Sequence, residues 1–305
     1  MKKVVIFGAR GRTGMRAVRI FNQKGWETRA VLRQDCELTD TAAIDPFLRA
    51  ERPDCVVNCA AVSGLEEALD DPLRAHLVNA MAPAAMARAC RRLDVRFIHL
   101  GTDYVLDGRR SGLKAEDVPC RPCCMYGESK REGELQVLEE NPDAVILRTS
   151  WVCGNAERPS FLEQTVRRAL NGEELSGIAD KYSLPTDVDD LVRAVAAMAE
   201  NGRHLGVFHA CSGGEPLSWY AYAERIAAVL AAEGVLPSAP QVRPILLVDA
   251  SFFREPRPQH TAMDNRKLTA EARIPMPSAD ETIRRAVLRL LRAMPPEGGE
   301  ALEES

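Results

Sequence analysis

Tyr126 and Lys130 stand four residues apart and are the first candidates for chemistry in this sequence. On a helix this spacing places both side chains on one face, close enough to act together. A phenol has a pKa near ~10 and is a poor acid–base catalyst at neutral pH, but a neighbouring ammonium group favours the phenolate and lowers that pKa. The pair therefore predicts a proton-donating tyrosine. Because the same spacing also occurs on helix faces that meet only solvent, its meaning depends on the segments upstream.

A glycine-rich segment near the N-terminus supplies that context. The apolar run 4–7 predicts a buried strand, the spacing G-x-x-G-x-x-G follows over Gly8–Gly14, and the apolar positions after it predict a helix. In this order the backbone can approach a pyrophosphate, which then meets free N–H groups at the helix N-terminus. We predict a dinucleotide-binding turn; the alternative is a merely tight turn.

Arg33 follows the second predicted strand, where a site that selects NAD tends to have an acid against the ribose 2′-hydroxyl. An arginine there, with Arg10 and Arg12 of the glycine segment nearby, suits a 2′-phosphate. We therefore predict NADPH as the cofactor, with NADH as the alternative because Asp35 is close. Asp40 begins the next predicted helix and is either its N-cap or a contact of the adenine.

Two further strands are predicted, over residues 55–61 and 95–100. The first ends in Ala60 and Ala61, whose small side chains would admit a cofactor, and the second leads into Thr102. The carboxyl ends of parallel strands line the ligand crevice of such a sheet. Thr102 is therefore placed to hydrogen-bond a reacting carbonyl.

Alternating strands and helices over residues 1–150 predict an α/β fold with a doubly wound parallel sheet, the Rossmann arrangement. Residues 151–292 are predicted to form a smaller C-terminal substrate lobe, and 187–212 to return to the first lobe. Residues 293–305 are predicted to be a disordered tail, since 295–305 is acidic and contains glycine and proline.

Composition limits the partners and the location. The 305 residues are 46% hydrophobic and 28% charged, as in ordinary globular proteins, and the net charge of −4 without an evident basic face argues against nucleic acid. The N-terminus has too short an apolar run for a signal peptide, and no apolar run approaches the ~20 residues of a membrane span. We expect a cytoplasmic protein that does not insert in membranes.

Nine cysteines, an odd number, are interpreted as reduced thiols. Cys120, Cys123 and Cys124 form a C-x-x-C-C cluster, but a zinc site needs four ligands and no second cysteine pair or histidine pair has ligand spacing. We interpret the cluster as loop thiols and predict no metal site.

Seven segments carry a family resemblance when taken in order: the glycine loop 8–14, PDCVVNCAA at 53–61, GTDYVLDG at 101–108, YGESK at 126–130, LRTSWV at 147–152, PT at 185–186 and RP at 257–258. Each is weak alone. Together they resemble the extended short-chain dehydrogenase/reductase family and, within it, the dTDP-4-dehydrorhamnose reductase group, over residues 2–292.

The resemblance implies a catalytic set of Thr102, Tyr126 and Lys130. Thr102 would polarise the C4 carbonyl of a sugar, Tyr126 would donate a proton to its oxygen as hydride arrives from the nicotinamide, and Lys130 would hold the nicotinamide ribose and lower the pKa of Tyr126. The cofactor contacts, including the arginines considered above, would be Gly8, Gly11, Arg12, Thr13, Gly14, Arg33, Asp40, Ala60, Ala61, Tyr126 and Lys130.

On the sugar–nucleotide side the resemblance suggests four candidates: Asp103, Tyr104, Trp151 and Arg257. The planar donor fork of an arginine suits a diphosphate. The alternative for Trp151 is core packing, and the alternative for Arg257 is a surface role. The implied function is NAD(P)H-dependent reduction of the C4 ketone of a nucleotide-linked 4-dehydro-6-deoxy sugar, with a nucleotide sugar as the partner and a homodimer as an open question.

Departures from the family pattern leave the substrate open. Gly101 replaces a serine, residues 62–69 differ at several positions, and 180–183 lacks the usual Gln and Gly. One alternative is a nucleotide-sugar epimerase or dehydratase with tightly bound NAD, although a dehydratase usually has an acid pair beside the threonine, which is missing here. The other is a non-catalytic, NADP-binding regulatory subunit resembling the beta subunit of methionine adenosyltransferase, because the same fold serves both functions.

Overall fold

The structure is a computed structural model that describes residues 1–155 and 157–294. In chain order its strands are β1 Lys3–Phe7, β2 Glu27–Val31, β3 Cys55–Asn58, β4 Arg96–Thr102, β5 Val145–Thr149, β6 Val152–Cys153, β7 Leu175–Ile178, β8 Tyr182–Ser183, β9 Thr186–Asp187, β10 Gly206–His209, β11 Leu217–Ser218 and β12 Val242–Ile245. Its α-helices are α1 Arg12–Gln23, α2 Ile44–Glu51, α3 Leu65–Asp70, α4 Pro72–His76, α5 Ala82–Leu93, α6 Met125–Glu140, α7 Phe161–Leu170, α8 Val188–Glu200, α9 Trp219–Ala232 and α10 Ala279–Ala293.

Six strands form the central sheet of the described chain, in the order β2-β1-β3-β4-β5-β10, and every neighbouring pair is parallel. The chain runs outward from β1 to β2 and then crosses to β3 on the other side of β1. The direction of winding therefore reverses between β1 and β3, and ligands of such sheets bind at the carboxyl ends of the strands at that point. The prediction of a doubly wound parallel sheet is confirmed.

Both faces of the sheet are covered, which explains the uninterrupted apolar run of β1. Val4 and Ile6 belong to the core formed with α1 and α8, whereas Val5 and Phe7 belong to the core formed with α2 and α5. Successive side chains of a strand point to opposite faces, so a strand buried on both faces is apolar at every position.

A separate hydrophobic core lies among α7, α9 and α10, with Leu162, Ile226 and Ile283 among its fully buried members. Two short parallel strands, β7 and β12, border it. Helix α8 packs on α1, and β10 pairs with β5, so residues 188–209 lie with the central sheet. The boundaries proposed for the two lobes stay a prediction, and residues 295–305 of the predicted tail lie outside the described residues.

Some element boundaries differ from the sequence-based ones. The strand predicted over 55–61 ends at Asn58, because the Asn58 carboxamide oxygen accepts the N–H of Ala60 and the chain leaves the sheet. The helix predicted from Asp40 begins instead with a 3₁₀ turn over Thr41–Ala43, after which α2 starts. No helix in the described ranges is long and apolar enough to cross a membrane.

Candidate active site

A cleft in two adjoining parts opens at the carboxyl ends of the central strands. One part, about 510 Å³, lies over the glycine loop and the end of β2. The other, about 480 Å³, lies between β4, α6 and the aromatic side chains of α7 and α9. Gly11, Cys59, Ala60 and Ala61 line both parts. A single elongated ligand could therefore occupy both.

The glycine loop leaves no room for side chains. A Cβ on Gly8 would lie 2.6 Å from the Ala60 nitrogen, and Gly8 has a φ of +71° that favours glycine. A Cβ on Gly14 would lie 2.1 Å from the Gly8 carbonyl oxygen. Among the described residues, no side chain caps the N-terminus of α1 at Gly11, and the first turn of α1 contains no acidic residue. These features fit the phosphates of a dinucleotide, which would meet exposed N–H groups and a positive helix end.

The basic side chains predicted for a 2′-phosphate are divided between the two parts. Arg10 and Arg33 line the part over β2, and the Arg33 side chain is 72% exposed, 3.6 Å from Glu37. The placement of Arg12 with them was wrong: Arg12 lies in the other part, where its guanidinium donates to the carbonyl oxygens of Arg158 and Pro159. Any contact of Arg12 with the cofactor therefore lies away from the 2′-phosphate side.

The two carboxylates near this side have partners in the protein. Asp35 accepts the N–H of Leu32 and pairs with Arg29 at 3.2 Å, so it is already bonded within the β2 turn. Asp40 is exposed and caps the 3₁₀ turn by accepting the N–H of Ala42. The capping alternative for Asp40 is confirmed, whereas its contact with adenine stays a prediction.

Thr102, Tyr126 and Lys130 meet in the second part of the cleft. Thr102 ends β4, and Tyr126 and Lys130 lie in the first two turns of α6. Burial raises the pKa of Tyr126 to about 12, and a hydrogen bond from the Thr102 hydroxyl to the phenol oxygen acts in the opposite direction. The phenol is therefore protonated at neutral pH, as a proton donor requires.

The expected lowering of the Tyr126 pKa by Lys130 is not found. Lys130 is 2% exposed, and its amine instead contacts the Leu100 carbonyl oxygen at 2.6 Å and the His99 Nε2 at 3.1 Å. Burial lowers the pKa of Lys130 itself to about 8. The sequence pattern indicated that Tyr126 and Lys130 share a helix face. It did not indicate that His99 and Leu100 hold the lysine amine.

Helix α6 is fixed to its surroundings by polar contacts from distant segments. The Glu255 carboxylate accepts the N–H of Met125, the first residue of α6, at 2.9 Å. Asn79, fully buried, donates to Ser129 of α6 and also exchanges hydrogen bonds with the backbone of Val62. Asn79 lies in a π-helical turn, Leu77–Met81, a distortion often found at functional sites. No motif or spacing in the sequence indicated these contacts.

The Asp103 carboxylate is buried and hydrogen-bonded within the protein. Its carboxylate accepts hydrogen bonds from Ser183 at 3.1 Å and Thr261 at 2.5 Å, and it is 2% exposed. Burial raises the pKa of Asp103, and the nearby Lys181 ammonium acts against that rise. Its predicted contact with substrate therefore competes with the two hydroxyl groups, of Ser183 and Thr261, that already donate to the carboxylate.

Aromatic side chains form the wall opposite Thr102. Trp151 stacks on Tyr222 with ring centroids 5.5 Å apart, and Phe161 stacks on Trp219 at the same separation. The indole nitrogens of Trp151 and Trp219 and the Thr149 hydroxyl are buried without hydrogen-bond partners in the described residues. All three side chains line the cleft. Trp151 thus combines the two alternatives, packing and cleft lining, while Trp219 and Thr149 were missed.

Tyr104 lies beside the catalytic candidates, with its ring 5.8 Å from that of Tyr126. Lys181, fully buried, places its ammonium 5.0 Å from the Tyr104 ring centroid and donates to the Pro258 carbonyl oxygen. Tyr104 lines the cleft, whereas Lys181 lies behind it. The position where the family has a glutamine thus holds a cation that packs against the wall of the cleft.

Arg257 does not lie free for a diphosphate. Its guanidinium contacts both oxygens of Glu66 at 3.0 Å and lies 4.2 Å from the Phe253 ring centroid. One terminal nitrogen, Nη1, is buried without a partner in the ranges described. The alternative of a surface role was wrong, because the Arg257 side chain is only 7% exposed in its pair with Glu66, a residue of the divergent segment 62–69.

The family model described as RmlD substrate binding domain matches residues 1–292. The chain belongs to this family. It is 31% identical to a dTDP-4-dehydrorhamnose reductase of Mycolicibacterium smegmatis over 294 residues, which cover 96% of this chain and 87% of the relative. Crystal structures of similar proteins include the dTDP-4-dehydrorhamnose reductase of Clostridium acetobutylicum, with a TM-score of 0.85, 27% identity and coverage of 96% of this chain and 100% of that one.

The Bacillus anthracis dTDP-4-dehydrorhamnose reductase, in complex with NADP, has the same fold: the TM-score is 0.85 at 24% identity, with 94% of this chain and 99% of that one covered. Membership in the RmlD substrate-binding-domain family confirms the resemblance that the seven segments suggested.

Packing explains why position 101 of this RmlD-family chain is a glycine. A Cβ on Gly101 would lie 2.7 Å from the Glu134 Oε1 and 2.9 Å from the Arg148 Cγ. Glu134 and Arg148 form a buried ion pair at 2.8 Å. Glycine at this position therefore avoids a close contact with the ion pair. In the described ranges no cluster of three or more His, Cys, Asp or Glu side chains is placed to hold a metal ion.

Proposed function

We propose that this protein is an NADPH-dependent reductase of the C4 ketone of a nucleotide-linked 4-dehydro-6-deoxy sugar. The observation that carries the proposal is the meeting of Thr102, Tyr126 and Lys130 in one part of a cleft whose other part lies over the glycine loop. The names of the similar proteins support the sugar nucleotide as substrate.

The cofactor contacts would come from Gly8, Gly11, Thr13, Gly14, Ala60, Ala61 and Lys130. When bound, the reduced nicotinamide supplies a hydride to the carbonyl carbon. The high pKa of Tyr126 keeps its proton on the phenol until the ketone oxygen gains charge, and the phenol then donates that proton. Thr102 holds its hydroxyl 3.4 Å from the Asp103 Oδ1, a long contact that it can exchange for the ketone oxygen.

The choice of NADPH rests on Arg10 and Arg33, which line the part of the cleft over β2. A 2′-phosphate would meet both guanidinium groups there, and Asp35, bonded to Leu32 and Arg29, leaves the 2′-hydroxyl without an obvious acidic partner. Since Arg33 is exposed, NADH remains a usable second cofactor.

For the sugar nucleotide we infer contacts with Tyr104, Trp151 and the indole nitrogen of Trp219. Buried donors without partners are costly, and sugar oxygens would satisfy them. A direct role for Asp103 requires that it leave the partners described above, whereas Arg257 has an unpartnered nitrogen, Nη1, that can donate to a diphosphate while Nη2 stays with Glu66. We also propose that the protein acts in the cytoplasm, without nucleic acid, and that its assembly is a homodimer.

The test is to incubate the purified protein with NADPH and dTDP-4-dehydrorhamnose and to follow both NADPH oxidation and the sugar product. The proposal expects oxidation that depends on both substrates and a product reduced at C4. Tightly bound NAD with sugar interconversion in the absence of added reductant would instead identify an epimerase. No turnover, together with co-purification of a methionine adenosyltransferase, would identify a regulatory subunit.

A further inference from the structure

A series of buried polar contacts connects the glycine loop, residues 8–14, to Lys130. Gly8 packs on the backbone of Ala60, and the Ala60 N–H donates to the Asn58 side-chain oxygen at 3.0 Å. The Asn58 amide nitrogen lies 3.1 Å from the Nδ1 of His99, and the Nε2 of His99 lies 3.1 Å from the Lys130 Nζ. Asn58 and His99 are fully buried.

The hydrogen bonds of this series fix the position of each proton. Because the Asn58 oxygen accepts from Ala60, its amide nitrogen faces His99 and donates to Nδ1. Nδ1 is then an acceptor, so the proton of a neutral imidazole is on Nε2, directed at Lys130. An ammonium has no lone pair to receive that proton, whereas a neutral amine accepts from His99 and donates to the Leu100 carbonyl oxygen at 2.6 Å.

We infer that His99, oriented by Asn58, is a positioning residue that holds Lys130 through a hydrogen bond from Nε2–H to Nζ and favours the neutral amine of that lysine. The inference rests on the role proposed for Lys130 above and adds a residue for which the family resemblance gave no function. Through Asn58, the protonation of Lys130 would thereby depend on the backbone of Ala60, which also contacts the glycine loop.

The electrostatic surroundings agree with this assignment. Burial and the nearby Lys130 lower the pKa of His99 well below its ordinary value, so the imidazole is neutral. Burial likewise lowers the pKa of Lys130, while Glu134 and the Cys59 thiol act in the opposite direction. The titratable groups that face the amine besides His99 are these two and Tyr126 on its own helix. Within the described residues, however, the hydrogen-bond contacts of the amine are those with His99 and the Leu100 carbonyl oxygen, so the imidazole is the donor available to it there.

Nuclear magnetic resonance of the unliganded protein tests the inference directly. Long-range proton–nitrogen correlations of His99 are expected to show the neutral Nε2–H tautomer. The Cε resonance of Lys130, assigned with Lys130→Arg, is expected to titrate at a lower pH than that of an ordinary lysine. His99→Leu removes the donor and should raise the Lys130 midpoint by about one pH unit, whereas His99→Gln retains an N–H donor and should keep most of the depression.

His209→Leu is the matched control, because His209 is equally buried but contacts Arg148 and the Asp264 carbonyl oxygen instead of Lys130. It should leave the Lys130 midpoint unchanged. If His99→Leu does not fold, Asn58→Asp provides a second test: a carboxylate cannot donate to Nδ1, so the tautomer should change to Nδ1–H. An Nδ1–H tautomer in the wild type, or equal Lys130 midpoints in wild type and His99→Leu, would overturn the inference. Neither readout needs a substrate, so its failure is distinct from failure of the reductase proposal.

Discussion

The glycine-lined part of the cleft takes its walls from the ends of neighbouring strands, whereas the part around Tyr126 combines segments from both ends of the chain. In the first part, Gly8 and Gly14 approach backbone so closely that no side chain fits. In the second part, Asp103 is held by Ser183 and Thr261, 80 and 158 residues away. The cofactor part of the cleft therefore depends on the absence of side chains, whereas the substrate part depends on buried polar pairs.

The largest effect is expected from breaking a buried pair in the substrate part. Asp103→Ala leaves the buried hydroxyls of Ser183 and Thr261 without their acceptor, and each buried polar group left unsatisfied costs about 1–3 kcal/mol. The free energy of unfolding, measured with urea, should fall by the cost of both groups. Asp103→Asn keeps oxygen acceptors for Ser183 and Thr261 and should lose less. Equal losses in the two variants would show that the charge of Asp103, not its hydrogen bonds, holds this region.

Substitutions in the cofactor part of the cleft should weaken NADPH binding more than they reduce the stability of the protein. Gly8→Ala places a Cβ against the Ala60 backbone, so we expect NADPH affinity to fall by about tenfold to a hundredfold. Gly25→Ala is the matched control: Gly25 has a similar φ of +78°, but nothing lies within 4 Å of the added Cβ. It should cost only about 1 kcal/mol of stability. Calorimetric titration with NADPH separates the two outcomes. Equal NADPH affinity in both variants would refute the binding of the cofactor at the glycine loop.

Two arginines of one loop test whether the ion pairs between distant segments take part in binding. Arg257 is 7% exposed in its pair with Glu66, whereas Arg254 is 55% exposed in its pair with Asp70. If Arg257 Nη1 is the donor for the diphosphate, Arg257→Ala should raise the KM for the sugar nucleotide about tenfold. Arg254→Ala, an exposed pair, should change KM less than about twofold. A KM unchanged by Arg257→Ala would restrict this residue to packing.

The smallest effect is expected at the exposed rim of the cofactor part. Arg33→Ser removes one cation from the proposed 2′-phosphate site, so the KM for NADPH should rise about threefold to tenfold while the KM for NADH stays constant. Raising the salt concentration should reduce the difference. An equal change for both cofactors would remove Arg33 from cofactor selection.

Local patterns predicted much of this molecule. The parallel sheet follows from apolar runs such as 4–7, and the glycine spacing at 8–14 predicted the close-packed loop because both depend on adjacent residues. The order of the motifs brought Thr102, Tyr126 and Lys130 together, since each lies at or next to the carboxyl end of a central strand.

The errors concern partners that are distant in sequence. Arg12 was grouped with Arg33, but its bonds to the carbonyls of Arg158 and Pro159 turn it toward the other part of the cleft. His99 and Trp219 gave no signal, because an apolar strand and an amphipathic helix predict burial but not which polar atoms meet. The effect of Lys130 on Tyr126 was likewise inferred from spacing, whereas His99 and Leu100 determine where the amine points.

The proposed reaction requires that the Tyr126 phenol give its proton to the ketone. Single-turnover rates of NADPH oxidation with dTDP-4-dehydrorhamnose test this in wild type, in Tyr126→Phe and in the control Tyr220→Phe, which loses a hydroxyl that contacts Glu224. We expect Tyr126→Phe to bind both ligands but to react about 10²–10⁴-fold more slowly, while Tyr220→Phe keeps the wild-type rate. A Tyr126→Phe enzyme that reduces the ketone at the wild-type rate would contradict it.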